Sequence, residues 1–277
     1  MNDRSTSAAL ASPHRSDVDP GAFAALGIDA GSTTTKLCGV DASGALIWHR
    51  IEATHPAMAA QSRRLVAAAR ALARDPGLPL VATGYGRNLV EDADRAVTEI
   101  TCHARGVFRR VGHGGTLIDI GGQDSKVIVI GPQGRVVHFA MNDKCAAGTG
   151  RFLEVVAGRL QLDLDAFADE ALSTTDEAPI SSTCTIFAES EIISLLAHGR
   201  PVAQIVRGLH RSLIGRVAAM ARTAGAAPPL LLSGGVARSE AVRRFLGEAL
   251  GSEVRVPEDP QLMGAYGAAL LGLEARR

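Results

Sequence analysis

A pattern that recurs at an offset of 90 residues constrains the fold of this chain more than any other feature. Residues 26–40, LGIDAGSTTTKLCGV, and residues 116–130, TLIDIGGQDSKVIVI, each place an apolar strand before an aspartate, with a glycine two positions later. A lysine follows each aspartate by seven positions, and a turn glycine precedes a third strand. The matching positions are Asp29 and Asp119, Lys36 and Lys126, and Gly44 and Gly134. The repeat predicts two three-stranded antiparallel meanders and therefore a duplicated domain.

Apolar periodicity and turn residues organise the rest of the chain as helices alternating with short strands. Helices are predicted at residues 58–74, 94–111, 148–160, 187–198, 202–224, 238–250 and 261–273. Strands are predicted before the glycine turns of ATGYGRN and LLSGG, and another in EVRV. This pattern predicts an α/β fold with a cleft between two related halves.

The repeat also sets the expected domain boundaries. Residues 1–24 are rich in Ser, Asp, Pro and Ala and are expected to form a disordered tail. The first half is expected to comprise residues 25–114 and the second residues 115–260. The predicted C-terminal helix, residues 261–273, is expected to pack back on the first half.

The charge balance and the hydropathy pattern exclude several classes of protein. The chain has 29 Lys and Arg residues and 29 Asp and Glu residues, so its formal net charge is zero. Domains that bind nucleic-acid phosphates are usually basic, so no nucleic-acid partner is expected. The uncharged run at residues 261–273 is too short to cross a bilayer, and residues 1–20 lack the apolar stretch of a signal peptide. A soluble, cytoplasmic protein without a membrane partner is expected.

The loops after the two repeated aspartates have the composition of anion-binding sites. A tight turn rich in Gly, Ser and Thr directs backbone N–H groups and hydroxyls toward one point. The candidate phosphate ligands are Ser32, Thr33, Thr34, Thr35 and Lys36 in the first loop and Gly121, Gly122 and Gln123 in the second. Asp29 and Asp119 are expected to hold Mg²⁺ through water molecules, because this ion keeps much of its hydration shell.

A third glycine loop, SGGVARS at residues 233–239, follows a predicted strand and precedes a predicted helix. Such a helix N-terminus favours anions. The chain contains no G-x-x-x-x-G-K-[ST] motif, and Leu153 occupies the position where a Rossmann fingerprint beginning at Gly148 needs a glycine. A single glycine turn is typical of an ordinary hairpin, but two matched loops and the late S-G-G favour a phosphate clamp.

The chain has four cysteines and no C-x-x-C pair. Cys38 lies in a predicted strand and Cys102 in a predicted helix, and both are expected to be small buried apolar side chains. Cys145 and Cys184 each precede a predicted helix, a position that favours an anionic group. Their spacing leaves three interpretations open: a disulfide, a redox switch or half of a metal site.

The three loops resemble the phosphate and adenosine motifs of the actin, Hsp70 and sugar-kinase superfamily. The stretches ATGYGRN, NDKCAAGTGRF, ISSTCTIFAESE and LLSGGVA narrow this resemblance. They resemble the ATP-dependent activators of 2-hydroxyacyl-CoA dehydratases, the BadF/BadG/BcrA/BcrD ATPase family, which is related to the ATP-binding subunits of benzoyl-CoA reductases. The resemblance covers residues 26–273 and implies an actin-like ATPase fold, with two RNase-H-like halves around an ATP cleft.

The resemblance further implies an ATPase coupled to electron transfer. One [4Fe–4S] cluster would bridge a homodimer, with Cys145 and Cys184 of each subunit as its ligands. A reduced ferredoxin or flavodoxin would supply one electron, and ATP hydrolysis would drive its transfer to a dehydratase or an aryl-CoA reductase component. Gln123 would orient the hydrolytic water. The residues expected near the nucleoside are Gly234, Gly235 and Gln261.

Two other functions fit parts of the pattern. A small-molecule kinase of the same superfamily would need a catalytic carboxylate near the loops, and Asp124 has that position. Such a kinase would also need room for a substrate domain, and it would leave the cysteine motifs without a role. A nucleotide-gated binding module similar to an Hsp70 head would need an attached substrate-binding region, and no such region is expected here.

Overall fold

The computed structural model describes residues 22–75, 77–180 and 185–276. Its strands are β1 (Ala25–Ala30), β2 (Thr34–Val40), β3 (Leu46–Ala53), β4 (Leu80–Thr83), β5 (Arg95–Ala96), β6 (Gly115–Ile120), β7 (Ser125–Ile130), β8 (Val136–Asn142), β9 (Leu230–Ser233) and β10 (Val254–Arg255). Its α-helices are α1 (Met58–Arg70), α2 (Glu99–Val111), α3 (Gly150–Arg159), α4 (Leu164–Leu172), α5 (Thr185–Ala197), α6 (Val202–Thr223), α7 (Glu240–Leu250) and α8 (Met263–Ala275). The chain divides into two compact units. The first comprises the chain up to Gly112 together with the C-terminal part from Leu262, and the second comprises His113–Gln261.

Each unit is built on a mixed sheet with the same strand arrangement. The first sheet has the order β3-β2-β1-β4-β5 and the second the order β8-β7-β6-β9-β10. In both, the first three strands in sequence pair antiparallel, and the remaining two add in parallel beside the first strand. The repeat therefore does encode two three-stranded antiparallel meanders, and the predicted α/β class is confirmed.

Helices cover the first sheet on both of its faces. On one face, Leu65, Val66 and Ala69 of α1 share a buried cluster with residues of β1 and β2. On the other face, α8 packs on β1, β2 and β4 and against α2. This helix lies so close to β1 that a side-chain carbon at Gly27 would be 2.2 Å from the Ala265 carbonyl oxygen. Glycine is therefore required where β1 passes beneath α8.

The core of the second unit lies between its sheet and the helices α3, α4, α6 and α7. Ile118, Ile120 and Val127 of the sheet belong to the same buried cluster as Leu213 of α6 and Phe245 of α7. The apolar residues of α6 recur at helical spacing, so they form one long face of the helix, and this face packs against the cluster. The core fixes the strand ends that carry the candidate loops of this unit.

The predicted helix at residues 94–111 was wrong in its first turn. The chain instead forms the short strand β5, which pairs in parallel with β4, and α2 begins only at Glu99. The Asp94 carboxylate accepts a hydrogen bond from the Leu80 N–H at 2.7 Å and so bonds to the first residue of β4. Pairing with a neighbouring strand supplies hydrogen bonds that an isolated helical turn cannot match.

The sequence analysis also missed helix α4. This helix begins at a standard cap, because Asp163 Oδ1 accepts the Ala166 N–H at 2.8 Å. Phe167 and Ala171 on its buried face join the core of the second unit. Its nine residues are too few for a strong periodic signal, and packing against α6 and α7 stabilises it.

Candidate functional site

The first candidate loop, residues 31–34, lies beyond the last pair of the β1–β2 ladder, Ala30 with Thr35; its final residue, Thr34, already begins β2 by pairing with β3. The hairpin register places Asp29 directly opposite Lys36. Directly opposed residues project from the same face of a sheet, so their side chains meet. Lys36 Nζ lies 3.2 Å from Asp29 Oδ2, and the two side chains are only 15% and 9% exposed. A carboxylate–ammonium pair therefore closes the base of this loop.

Two glycines line the Asp29 carboxylate. Gly84, at the end of β4, has a φ of +88°, and a side-chain carbon there would lie 2.3 Å from Asp29 Oδ1. A side-chain carbon at Gly264 of α8 would lie 3.2 Å from Asp29 Oδ2. Because both positions are glycines, neither places a side-chain carbon against the carboxylate. A carboxylate in such a cradle fits a small hydrated cation, because Mg²⁺ prefers oxygen ligands and retains water.

The hydroxyl groups of the first loop fall into two classes. Ser32, Thr33 and Thr34 are half-buried at the loop surface. Thr35 is fully buried, and its Oγ1 lies 3.1 Å from Thr54 Oγ1, so this hydroxyl is used inside the unit. Ser32, Thr33 and Thr34 therefore remain candidate phosphate ligands, whereas the Thr35 hydroxyl is buried and does not face the loop surface.

The second candidate loop, residues 121–124, joins β6 to β7. Asp119 lies opposite Lys126, whose Nζ is 3.5 Å from Asp119 Oδ2 and 2.7 Å from Asp124 Oδ1. The Asp119 and Lys126 side chains are 2% and 4% exposed, whereas Asp124 is 26% exposed. The lysine of the second unit is thus buried between two carboxylates.

The late S-G-G sequence lies beside this second aspartate. Parallel pairing of β6 with β9 places Ser233 next to Asp119, and Ser233 Oγ donates a 2.6 Å hydrogen bond to Asp119 Oδ1. Gly234 has a φ of +89°, and its N–H donates to the Pro260 carbonyl at 3.1 Å. A side-chain carbon at Gly235 would lie 3.3 Å from Gln261 Nε2. The structure therefore brings the three predicted nucleoside residues together.

The glycines of the second loop present different groups to different neighbours. The Gly121 N–H donates to the Asp124 carbonyl at 2.9 Å, which closes the turn. The carbonyls of Gly121 and Gly122 accept hydrogen bonds from the N–H groups of Gly150 and Arg151, both at 2.8 Å. Gln123 is exposed at the tip. An exposed amide at a glycine-rich turn is free to contact a phosphate or a water molecule.

The two units thus repeat one arrangement. Each has an aspartate at the end of its first strand, a lysine opposite it, and a four-residue loop between them. Each also has a glycine with φ near +90° after the neighbouring parallel strand, Gly84 in one unit and Gly234 in the other. Loops of this kind present backbone N–H groups and hydroxyls to anions.

Cys145 lies at the surface just beyond β8. It is exposed and directly precedes the short 3₁₀ helix Ala146–Gly148. The Asn142 side chain holds its main chain, because Asn142 Nδ2 donates to the Cys145 carbonyl at 2.8 Å and Asn142 Oδ1 accepts the Cys145 N–H at 3.1 Å. Cys184, the other predicted ligand, lies outside the described residues.

Cys38 and Cys102 are buried in the first unit, as the sequence predicted. Burial raises the pKa of the Cys102 thiol to about 12, so this thiol stays protonated and unreactive at neutral pH. Neither residue has the exposure that a metal ligand or redox thiol at the surface needs.

The donor set near Cys145 fits one ligand position of an iron–sulfur cluster, since such clusters are held by Cys thiolates, usually four. Across residues 22–75, 77–180 and 185–276, no three His, Cys, Asp or Glu side chains form a metal-binding group. Cys145 supplies one exposed thiol at this position.

Several residues of these loops were not predicted as site members. The sequence repeat does identify Lys126, because it lies 90 residues after Lys36, although only Lys36 was predicted as a phosphate ligand. Ser233 and Gly84 had no such signal. Ser233 corresponds to Thr83 and Gly84 corresponds to Gly234, but these pairs are not 90 residues apart, because α3 to α6 lie between β8 and β9. Only the pairing of β4 with β1 and of β9 with β6 shows that they are equivalent.

Residues 26–272 match the model of the BadF/BadG/BcrA/BcrD ATPase family, which is nearly the whole described chain. The chain belongs to this family. Within it, the chain is 48% identical over 195 residues to the activator of lactoyl-CoA dehydratase from Anaerotignum propionicum, covering 70% of this chain and 75% of that protein. It is 40% identical over 248 residues to the (R)-2-hydroxyglutaryl-CoA dehydratase activating ATPase from Acidaminococcus fermentans, covering 88% and 95%.

Solved structures place this family member in a wider fold class. The activator of the 2-hydroxyisocaproyl-CoA dehydratase from Clostridium difficile, solved with bound ADPNP, superposes with a TM-score of 0.83 at 38% identity, covering 91% of this chain and 94% of that one. A ROK family glucokinase from Streptomyces griseus superposes with a TM-score of 0.57 at 17% identity, covering 89% and 98%, and so shares the fold alone. The predicted actin-like ATPase fold is confirmed.

Among the residues that the structure describes, no helix is both long enough and apolar enough to cross a lipid bilayer.

Proposed function

We propose that this protein is an ATP-hydrolysing iron–sulfur activator that transfers one low-potential electron to a 2-hydroxyacyl-CoA dehydratase or to a related benzoyl-CoA-reductase-type enzyme. Family membership and the names of its relatives support the role of activator. The observation that carries the ATPase part is the repeated arrangement of aspartate, opposed lysine and glycine loop in both units.

The phosphate groups of ATP are proposed to bind at the two loops. In the first, the hydroxyls of Ser32, Thr33 and Thr34 remain at the surface, and Lys36 provides a positive charge beside them. In the second, the turn amides of Gly122 and Gln123 provide N–H donors. Because Lys36 already balances Asp29, a phosphate that binds there must compete for the ammonium or share it.

The carboxylates of Asp29 and Asp119 are proposed to hold Mg²⁺ through its water shell. Bound magnesium would supply charge neutralisation for the phosphate oxygens during hydrolysis. Asp29 lies in its glycine cradle with Oδ1 facing Gly84. Ser233 orients Asp119 through Oδ1. Lys36 pairs with Asp29 through Oδ2, so each of the two carboxylates has a hydrogen-bond partner that orients it.

Hydrolysis itself needs a water molecule aligned with the terminal phosphate. The exposed Gln123 carboxamide is proposed to orient it, since an amide can donate to and accept from the same water. The water oxygen then forms a bond to the γ-phosphorus as the bond to the β–γ bridging oxygen breaks, which yields ADP and phosphate. The nucleoside is proposed to lie at Gly234, Gly235 and Gln261, where the exposed Gly235 has no side chain to obstruct approach.

The electron-transfer part of the proposal rests on the cysteines. Cys145 and Cys184 from each of two copies would supply the four thiolates that a [4Fe–4S] cluster usually takes, which makes the active form a homodimer. The exposure of Cys145 supports this arrangement. A ferredoxin or flavodoxin in the cytoplasm is proposed to reduce the cluster before the electron passes to the partner enzyme.

An activation assay tests this proposal. The anaerobically purified protein, reductant and a 2-hydroxyacyl-CoA dehydratase are combined, and dehydration of the 2-hydroxyacyl-CoA is followed with and without ATP. We expect dehydration to need both ATP and this protein, and Cys145→Ser to lose activation while it keeps ATP hydrolysis. Oxygen-indifferent ATP consumption that depends on a sugar or an acid and phosphorylates it would establish a kinase instead.

A further inference from the structure

Helices α2 and α8 pack so closely that glycine is required on both helices. A side-chain carbon at Gly106 of α2 would overlap the Met263 carbonyl oxygen of α8. A side-chain carbon at Gly267 of α8 would overlap the Cys102 carbonyl oxygen of α2. These contacts hold the first turns of α2 against the beginning of α8.

His103 is buried where the two helices meet, with 8% of the residue exposed. A side-chain carbon at Gly264 of α8 would lie 2.6 Å from His103 Nε2 and 2.9 Å from His103 Cδ2. The Nε2–Cδ2 edge of the imidazole therefore lies against α8, in space that a larger residue at position 264 would need.

The same position on α8 lies beside the Asp29 carboxylate. A side-chain carbon at Gly264 would lie 3.2 Å from Asp29 Oδ2, so His103 Nε2 and Asp29 Oδ2 are both within 3.2 Å of one point. Two atoms placed in this way are close enough to interact through a direct hydrogen bond or through one bridging water molecule. The imidazole of α2 therefore reaches the carboxylate at the end of β1.

Cys102, the residue before His103, provides a second indication that this part of α2 lies near Asp29. Burial is the main cause that raises the pKa of the Cys102 thiol, and the charge of Asp29 raises it further. A charge has this effect on a neighbouring group only at short range. The proximity of α2 to Asp29 thus does not depend on the Gly264 contact alone.

The two oxygens of the Asp29 carboxylate have different surroundings. Oδ2 accepts a hydrogen bond from Lys36 Nζ at 3.2 Å and lies on the side of α8 and His103. Oδ1 lies beside Gly84, and a side-chain carbon at Gly31 of the first loop would be 3.7 Å from it. Donors that engage Oδ2 therefore leave Oδ1 on the side of the first loop.

The second unit supports a role for a second donor beside the lysine. Asp119 has Lys126 at Oδ2, and Ser233 of β9 donates to Oδ1. In the first unit a second donor is available from α2, because an imidazole with a proton on Nε2 can donate to a carboxylate or to a water molecule.

We propose that His103 is a positioning residue that donates from Nε2 toward Asp29 Oδ2 and so leaves Oδ1 to the water shell of Mg²⁺. This inference rests on the proposed function, because it takes Asp29 as a carboxylate that holds Mg²⁺. His103 acts through Asp29 and touches neither the ion nor the nucleotide. Partners that orient a metal-holding carboxylate typically contribute about 10- to 100-fold to metal affinity.

The Mg²⁺ dependence of ADPNP binding reads out this role without catalysis. Full-length protein is titrated with ADPNP by calorimetry at a series of Mg²⁺ concentrations, beginning with metal-free buffer. His103→Phe keeps an aromatic ring and removes the donor, and we expect it to raise the Mg²⁺ concentration for half-maximal binding about tenfold. His113→Phe makes the same change at an exposed position and should keep the wild-type requirement.

Two further variants test the position of the donor. The side-chain nitrogen of glutamine can reach the place of His103 Nε2, whereas that of asparagine reaches only the place of Nδ1. We therefore expect His103→Gln to restore most of the wild-type Mg²⁺ requirement and His103→Asn to resemble His103→Phe. Urea unfolding of each variant measures stability separately. A purely structural role would change the free energy of unfolding without changing the Mg²⁺ requirement.

The outcomes separate the inference from the function on which it rests. If wild-type protein binds no ADPNP at any Mg²⁺ concentration, the proposed function fails and the role of His103 fails with it. If wild-type protein binds ADPNP and the Mg²⁺ requirement is the same in His103→Gln and His103→Asn as in wild type, only the role of His103 is overturned. The comparison of these two amide variants decides the matter even if His103→Phe does not fold.

Discussion

Ser233 Oγ donates a 2.6 Å hydrogen bond to Asp119 Oδ1 and thereby ties the end of β9 to the carboxylate at the end of β6. Both residues are buried, and the parallel register places them side by side. The hydrogen bond joins the S-G-G loop to the D-I-G-G-Q-D loop. A hydrogen bond from a hydroxyl to a buried carboxylate contributes more to the free energy of unfolding than an average hydrogen bond, because the acceptor is charged.

Ser233→Ala should therefore reduce both stability and turnover. Loss of a hydrogen bond to a buried carboxylate lowers the free energy of unfolding by about 2 kcal/mol. We expect kcat for ATP hydrolysis to fall more than KM rises, since Asp119 loses its orientation but the phosphate donors remain. Urea unfolding and steady-state ATPase assays measure the two effects. Ser233→Thr keeps the hydroxyl and should recover most of kcat; equal activity in the alanine and threonine variants would contradict this role.

The Lys36–Asp29 pair carries a separate prediction. Lys36→Ala removes the positive charge at the first loop and leaves the largely buried Asp29 carboxylate without its ammonium partner. We expect ATP turnover to fall by about 100-fold, the scale seen when one electrostatic contact to a transition state is removed. Arg200→Ala removes a positive charge from an exposed position and is the control that should retain full activity. Undiminished turnover in Lys36→Ala would remove this residue from the phosphate site.

Gly84→Ala tests the cradle around Asp29. The added carbon would lie 2.3 Å from Asp29 Oδ1, and alanine is strained at a φ of +88°. We expect a loss of about 1 to 3 kcal/mol in the free energy of unfolding, together with a higher Mg²⁺ requirement for ATP hydrolysis. Gly215→Ala on α6 is the matched control, since a carbon there meets nothing within 4 Å. An unchanged Mg²⁺ titration in Gly84→Ala would separate the cradle from metal binding.

His210 makes the stability of the second unit depend on pH. It is buried beside Phe167 and Phe245, its Nδ1–H donates to the Val206 carbonyl, and burial lowers its pKa to about 4. Between that value and the ordinary pKa of histidine, the unfolded chain binds a proton that the folded chain does not. Stability therefore falls as pH drops through this window, by about 2 kcal/mol from pH 7 to pH 5.

Urea unfolding of wild-type protein and His210→Phe at both pH values measures this contribution. The phenylalanine variant has no group to titrate at this position, so we expect its loss of stability on acidification to be smaller by the contribution of His210. An identical loss in the two proteins would show that His210 is not the group responsible.

The repeat made much of the fold predictable from sequence. Asp29 to Lys36 and Asp119 to Lys126 share a spacing, and each pair closes a hairpin of the same register. Local spacing determined this result, because the residues that meet are joined by a short loop. The first turn of the predicted helix at residues 94–111 failed for the opposite reason, since β5 forms only through pairing with β4, a strand that lies earlier in the chain.

The candidate site shows the same division. Aspartates, glycines and Lys36 could be selected because residue type and loop position suffice to indicate anion binding. The buried position of Thr35 depends on Thr54 and Gln61, and the link from Gly150 to Gly121 depends on how α3 packs. These contacts join residues far apart in sequence, and no motif records them. The assignment of Cys184 as a ligand concerns a residue outside the described part of the chain and stays a prediction.

The most direct measurement of the central claim is the iron and sulfide content of the anaerobically purified protein, combined with its native mass. The account expects a homodimer with about four iron atoms and four sulfides, and loss of both in Cys145→Ser and in Cys184→Ser but not in Cys38→Ser. An iron-free, monomeric wild-type protein under these conditions would contradict it.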